Sequence, residues 1–273
     1  MNINYILCFF VLICSTCDTD KKANKSETEA EINTTYYSIE EAKKNPLSVY
    51  DLQISCDELN SSNVILIEEF KNLKKIRLKG SSCTYAKVDS IILYLTKLKT
   101  LESFAINNSI LDSVPKSIFL LENIQELDLS NNNISVIKGS FEDLKKLQKL
   151  NLKFNNITSS LDICSVNLKE LDISYNTNID INELLLCLQY SNTLQHLNLY
   201  GMELNELPNS IGSLTELQEL DLQKNNLEAL PDSMGNLLNL KNLFLGGNPI
   251  KNQKAMKEIC NSKCSISFEL LLE

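Results

Sequence analysis

Tryptophan is absent from this chain, histidine occurs once, at His196, and Arg77 is the sole arginine beside 25 lysines. The missing tryptophan and scarce arginine reflect coding bias more than function, but the single imidazole constrains chemistry. No Ser or Cys nucleophile has a base at recognisable spacing, no glycine-rich phosphate loop occurs, and neither an enzyme nor a cofactor is expected. An excess of positive charge is lacking too. The formal charge of -9 and pI near 4.9 argue against a nucleic-acid partner, which requires clustered Lys and Arg to neutralise phosphates. The one basic stretch, Lys74 to Lys79, reads as a solvated or laterally paired strand face. Long apolar runs are also missing: the longest, Tyr5 to Cys14, is too short for a bilayer span of roughly 20 helical residues.

What the chain has instead is a ladder. An apolar-variable-apolar triplet returns nine times, starting at Leu52, Ile76, Phe104, Leu127, Leu150, Leu171, Leu197, Leu220 and Leu243. The spacings are 24, 28, 23, 23, 21, 26, 23 and 23 residues, a period that signals a stacked solenoid and favours binding over catalysis. Within each triplet the alternation has strand period, so the two apolar residues point inward and the residue between them points out. Asn132, Asn155, Asn176, Asn225 and Asn248 stand three residues after their triplets, where an Asn side chain bonds backbone groups of adjacent turns. Asp57, Ser81, Ser109 and Met202 take that place elsewhere, so the first three repeats are expected to be the least regular.

Flanking the ladder, residues 1–17 read as a signal peptide. The run ending Ser15-Thr16-Cys17 resembles a bacterial lipoprotein signal, which implies acylation of Cys17, anchoring in a membrane, and an exported protein at the cell envelope or surface. Secretion without lipid is the alternative. Residues 18–37 have almost no apolar content and read as a flexible tether. Ser38-Ile39-Glu40-Glu41 has the form of a capping box, with Ser38 set to accept the amide of Glu41, so residues 38–48 are expected to be a helical cap that stops before Pro46. Repeats then fill 49–250, and 251–273 reads as a C-terminal cap with a closing strand at Ile266-Ser267-Phe268.

The stretches LENIQELDLSNNNI, LKKLQKLNLKFNNI, LTELQELDLQKNNL and LLNLKNLFLGGNPI resemble leucine-rich repeats. Val114-Pro115, Leu207-Pro208 and Leu230-Pro231 begin segments that resemble the convex side of the 23-residue class of bacterial and Ras-suppressor-like proteins. The resemblance implies an α/β solenoid, a curved horseshoe whose parallel sheet lines the concave side over an arc of about 40 Å. It also implies protein recognition, with an adhesin or host-interaction role as an extension. A structural envelope protein and a cytoplasmic signalling scaffold are the alternatives, the hydrophobic N-terminus counting against the second. Some bacterial relatives carry a catalytic domain after their repeats, and a chain ending at Glu273 is expected to carry none.

Outward positions of the triplets form the expected concave face. In its middle, Lys149 and Lys153 are expected to pair sideways with Glu126, Asp128, Glu170 and Asp172. Towards the C-terminal half, His196, Tyr200 and Phe244 flank the acidic Glu219 and Asp221, with Phe154, Asp172 and Tyr175 near the preceding strands. Aromatics beside charge have the composition of protein-binding hot spots, so this half is the expected surface for a protein ligand, bound by a monomer. Six cysteines remain after the signal: Cys56, Cys83, Cys164, Cys187, Cys260 and Cys264. An even number in an exported chain permits disulfides, and the register sets the first two in consecutive repeats, the next two before consecutive triplets, and the last two close together. Small buried hydrophobes are the other reading of these residues.

Overall fold

A computed structural model describes residues 34–251 and 264–269. Cys17, Cys260 and the expected tether up to residue 33 lie outside the described residues. Each of the nine triplets forms a strand: β2 (Val49–Ser55), β3 (Lys75–Lys79), β4 (Ser103–Asn107), β5 (Glu126–Asp128), β6 (Lys149–Asn151), β7 (Glu170–Asp172), β8 (His196–Asn198), β9 (Glu219–Asp221) and β10 (Asn242–Phe244). Two further strands sit at the edges, β1 (Thr34–Tyr36) and β11 (Ser265–Ser267), so the sheet has eleven parallel strands in sequential order. Hence Thr34–Tyr36, expected to end the tether, instead pairs with β2, and the closing strand begins one residue earlier than expected. Both edge strands satisfy backbone groups that an end repeat otherwise exposes.

Register is uniform. Leu127, Leu150, Leu171, Leu197, Leu220 and Leu243 are successive partners across β5 to β10, and all are buried in one continuous core. Burial of each such leucine contributes about 2 kcal/mol, and the identical register lets every turn bury its face on the next.

The return half of each turn is variable. Helix α1 (Ile39–Ala42) opens the chain side of β2, α2 (Tyr85–Leu95) lies between β3 and β4, and α3 (Ile181–Leu188) lies between β7 and β8. Most other returns use 3-10 turns, including Lys116–Leu120, Asn209–Ser213 and Asp232–Asn236, which begin after Pro115, Pro208 and Pro231, while the return from β6 to β7 has no helical turn. Proline fixes φ for the entry to each turn at no hydrogen-bond cost. Adjacent turns approach closely here: a Cβ on Gly212 would stand 2.4 Å from the carbonyl oxygen of Ser233. The N-terminal cap is shorter than expected, and Ser38 accepts the amide of Glu40 at 3.2 Å rather than that of Glu41. Either amide is within reach of an N-cap oxygen, and a four-residue helix ending ahead of Pro46 uses the nearer one.

The asparagine positions form a buried ladder. Asn155 Nδ2 donates to the carbonyls of Leu129 in the preceding turn (3.0 Å) and Leu152 in its own (2.8 Å), and Oδ1 accepts the Ile134 amide at 3.0 Å. Asn176, Asn225 and Asn248 repeat this pattern. At Met202 the ladder is interrupted, and the thioether sulfur receives the Asn176 amide at 3.4 Å. Asn132 is the first rung; its Nδ2 is bonded, while its Oδ1 accepts nothing. The repeats ahead of it differ from the rest, but by having the longer strands, five to seven residues in β2 to β4 against three in β5 to β10. Without an Asn to take up the carbonyls at the bend, strand pairing continues to satisfy them.

Among the described residues two disulfides are present, Cys56–Cys83 with Cα atoms 5.3 Å apart and Cys164–Cys187 with Cα atoms 4.8 Å apart. The first is fully buried at the bend after β2 and β3, the second joins the turn after β6 to α3, and Cys164 is exposed. Cys264 is half-buried beside the carbonyl of Ser265.

Candidate functional site

The last residues of β5 to β9, which point outward, are Asp128, Asn151, Asp172, Asn198 and Asp221. Each turns its Oδ1 onto the amide two residues on, at 3.0, 3.0, 2.9, 3.0 and 2.9 Å, and so starts the bend that ends its strand. Their second atoms tie neighbouring strands: Asn198 Nδ2 donates to Asp172 Oδ2 at 3.1 Å, and Asn107 Nδ2 donates to Asp128 Oδ2 at 3.1 Å. Asp172 and Asp221, expected from sequence as binding residues, therefore also shape the chain. Alternation of Asp and Asn at one repeat position was the available signal for this second role.

Two residues earlier on each strand is a row of longer side chains. Lys149 pairs with Glu170 at 2.7 Å, and this hydrogen bond raises its pKa above the usual lysine value. His196 Nδ1 stands 3.9 Å from Glu219 Oε1, which also accepts from Asn242 through its other oxygen at 3.1 Å. Together these rows line an open hollow of about 600 Å³ on the concave face, from Arg77 to Asp221. Six carboxylates line it, Glu126, Asp128, Glu170, Asp172, Glu219 and Asp221, against the cations Arg77 and Lys149 and the imidazole of His196. Of the residues expected at the binding surface, Asp172, His196, Glu219 and Asp221 meet here. Phe244, Tyr175 and Tyr200 are not among the lining residues, and the hollow is centred nearer the middle of the sheet than the sequence led us to expect. Among the described residues, no group of three or more His, Cys, Asp or Glu is placed to hold a metal ion.

Tyr200 needs a correction: it is not an exposed concave residue but is only 3% accessible. It follows the last inward residue of its strand, where the chain bends and adjacent turns close over it. There it joins a stack along the rim. The rings of Phe154 and Tyr175 lie parallel with centroids 4.1 Å apart, and Tyr175 meets Tyr200 at 5.2 Å. Lys153 Nζ stands 5.2 Å from the Phe154 centroid, and Lys224 Nζ stands 5.3 Å from that of Tyr200. The Tyr200 hydroxyl, and after it Tyr175, raises the Lys224 pKa.

Backbone conformation at the bends follows the repeat. The bend after each strand of β3 to β10 contains a residue of positive φ, in turn Gly80, Asn108, Asn131, Phe154, Tyr175, Gly201, Lys224 and Gly247, and Glu203 adds one more. Glycine and asparagine take that conformation readily, whereas a bulky residue bears about 1 kcal/mol or more of strain. The signal was legible in sequence as bulk at a position otherwise held by Gly or Asn, but only the backbone angles give it meaning.

A family model described as leucine rich repeat matches residues 99–157, and a second of the same description matches 216–237. No curated protein matches the sequence. Among solved structures, the leucine-rich repeat domain of the type III effector XopL is 18% identical, with a TM-score of 0.62 over 84% of this chain and 78% of that one. An internalin, inlF of Listeria monocytogenes, is 18% identical with a TM-score of 0.54, covering 81% of this chain and 74% of its own. FLRT2, solved in an octameric complex with Latrophilin 3 and Unc5D, is 18% identical with a TM-score of 0.52, covering 81% and 84%. Identities this low speak to fold alone. Repeat spacing, repeat matches and an open parallel sheet in sequential strand order together make the fold that of a leucine-rich-repeat solenoid.

Proposed function

We propose that the protein is a non-enzymatic scaffold that binds a protein ligand on its concave face, exported and held at the bacterial cell envelope by a lipid on Cys17. The observation that carries the recognition half is the hollow itself, open, lined by six carboxylates against two permanent cations, and fixed by hydrogen bonds between strands. Groups held in place before binding lose little freedom on it, and their charge selects a partner with a basic surface. Export is supported by the two disulfides, which belong to oxidising compartments, and these weigh against the cytoplasmic scaffold. A structural role toward another envelope component differs only in the partner.

Charge reversal tests the surface. Glu126→Lys with Glu219→Lys is expected to abolish capture of the wild-type partner while leaving the melting temperature within about 2 °C, since both carboxylates are at the sheet surface. An unchanged partner would move recognition off the concave face. Metabolic labelling with a fatty-acid analogue tests the anchor: label present in wild type and absent in Cys17→Ala supports it, and unlabelled, uncleaved protein in the cytosol overturns export.

A further inference from the structure

Charge on the concave sheet is concentrated on every second strand. Lys75, Arg77 and Lys79 stand exposed on β3, where register sets Asp51 of β2 beside Lys75 and uncharged residues of β2 and β4 beside the other two. Carboxylates then come in pairs on β5, β7 and β9: Glu126 with Asp128, Glu170 with Asp172, and Glu219 with Asp221. The strands between them carry less. Asn151 and Asn198 are neutral, Lys149 is held by Glu170 at 2.7 Å, and His196 stands 3.9 Å from Glu219. In two-strand steps the face therefore presents one cationic rung and then three anionic ones.

Spacing narrows the class of partner, given the protein-binding role proposed for this face. Adjacent strands lie about 4.8 Å apart, so successive rungs are about 9.6 Å apart. In an α-helix, residues seven apart return to the same face about 10.5 Å further on, a difference that flexible lysine side chains absorb. An extended strand repeats its face about every 7 Å and is out of step by the second rung. A polyproline II helix keeps step, at about 9.3 Å, but each rung is two outward residues wide, about 7 Å along the strand, which suits a rod about 10 Å across. We infer that the concave face binds an α-helix of a partner protein laid across the strands, with basic residues seven apart over β9, β7 and β5 and an acidic residue over β3. The order of charges fixes where the helix sits, since a shift of one rung brings a basic residue onto Arg77 and its neighbours.

Fluorescence anisotropy of labelled synthetic peptides with the folded protein tests this at about 0.1 M salt, where the Debye length of about 10 Å equals one rung step and the position of a charge counts. The first peptide is an alanine- and glutamine-rich helix with one glutamate followed by three lysines at seven-residue steps. The second has the same composition with the charges at five-residue steps, which winds them around the helix. The third replaces the glutamate by a fourth lysine, and the fourth is a polyproline peptide with lysine at every third residue. The first is expected to bind about tenfold or more tightly than the second and fourth, and several-fold more tightly than the third. Arg77→Glu with Lys79→Glu should reverse the preference between the first and the third. Equal affinity for the first and second overturns the helix and leaves the basic-partner reading standing, and preference for the polyproline peptide overturns it in favour of an extended occupant. Binding of none of the four overturns it as well, while charge reversal at Glu126 and Glu219 still decides the broader reading. An unmoved preference in the Arg77→Glu, Lys79→Glu protein removes β3 from the site and overturns the proposal.

Discussion

The first three repeats and the later ones solve one problem with different chemistry. Every turn must satisfy the carbonyls and amides that face inward where the strand ends, since a buried unpaired backbone group costs about 1–3 kcal/mol. From β5 onward a side-chain amide does most of this, with Asn155 and Asn176 each bonding carbonyls of two turns. Ahead of β5 no such amide exists. Strand pairing runs on through Ser55, Lys79 and Asn107, the Ser109 hydroxyl reaches the Gly80 carbonyl at 3.2 Å, and the Cys56–Cys83 disulfide joins the first two bends covalently. A consensus residue is thus one means of closing the bend, and in the first three repeats longer strands take its place.

Breaking the covalent link at the N-terminal end is expected to have the largest effect. Cys56→Ala with Cys83→Ala should cost about 3.5 kcal/mol in urea unfolding, from the closed loop of 27 residues. Limited reduction sharpens the contrast with the second bridge: alkylation and mass spectrometry should find Cys164–Cys187 opened first, because Cys164 is exposed and both Cys56 and Cys83 are 0% accessible. Next is Asn176→Ala, expected to cost about 3 kcal/mol by stranding buried carbonyls, against about 1 kcal/mol for Ser109→Ala. Equal losses would mean that the ladder is not what distinguishes the two regions.

Met202→Asn, which restores the missing rung, is expected to stabilise by about 1 kcal/mol and raise the melting temperature by a few degrees. The smallest effect lies on the outer side. Glu142 accepts the Ser165 hydroxyl at 2.6 Å and the Ser165 amide at 3.0 Å, which hold its pKa below the ordinary 4.5. A depressed carboxylate stabilises the fold above its unfolded pKa and loses that contribution as pH falls through the folded value. NMR titration of Glu142 should show an upward pKa shift in Ser165→Ala, and no shift would remove the hydroxyl as the cause.

Periodicity alone located all nine central strands, their inward faces and the Asn ladder, because those depend on spacing that repeats within one turn. It misjudged Tyr200, whose place just past its strand looked outward until the bend closed over it. Of the two edge strands only Thr34–Tyr36 escaped, since it carries no full triplet and forms by adding to the free edge of β2, whereas the closing strand expected at 266–268 forms one residue earlier.

The sequence by itself determined that this protein is a solenoid of about nine repeats with an outward face left free to vary, since a strand period inside a 23-residue period admits little else. Only the tertiary structure decided which free residues act together. Six carboxylates separated by up to 95 residues meet in one hollow, and Phe154, Tyr175 and Tyr200, from three different turns, become one stack. Neighbours across a parallel sheet lie a whole repeat apart in the chain, so their proximity depends on register between turns, which no single repeat contains.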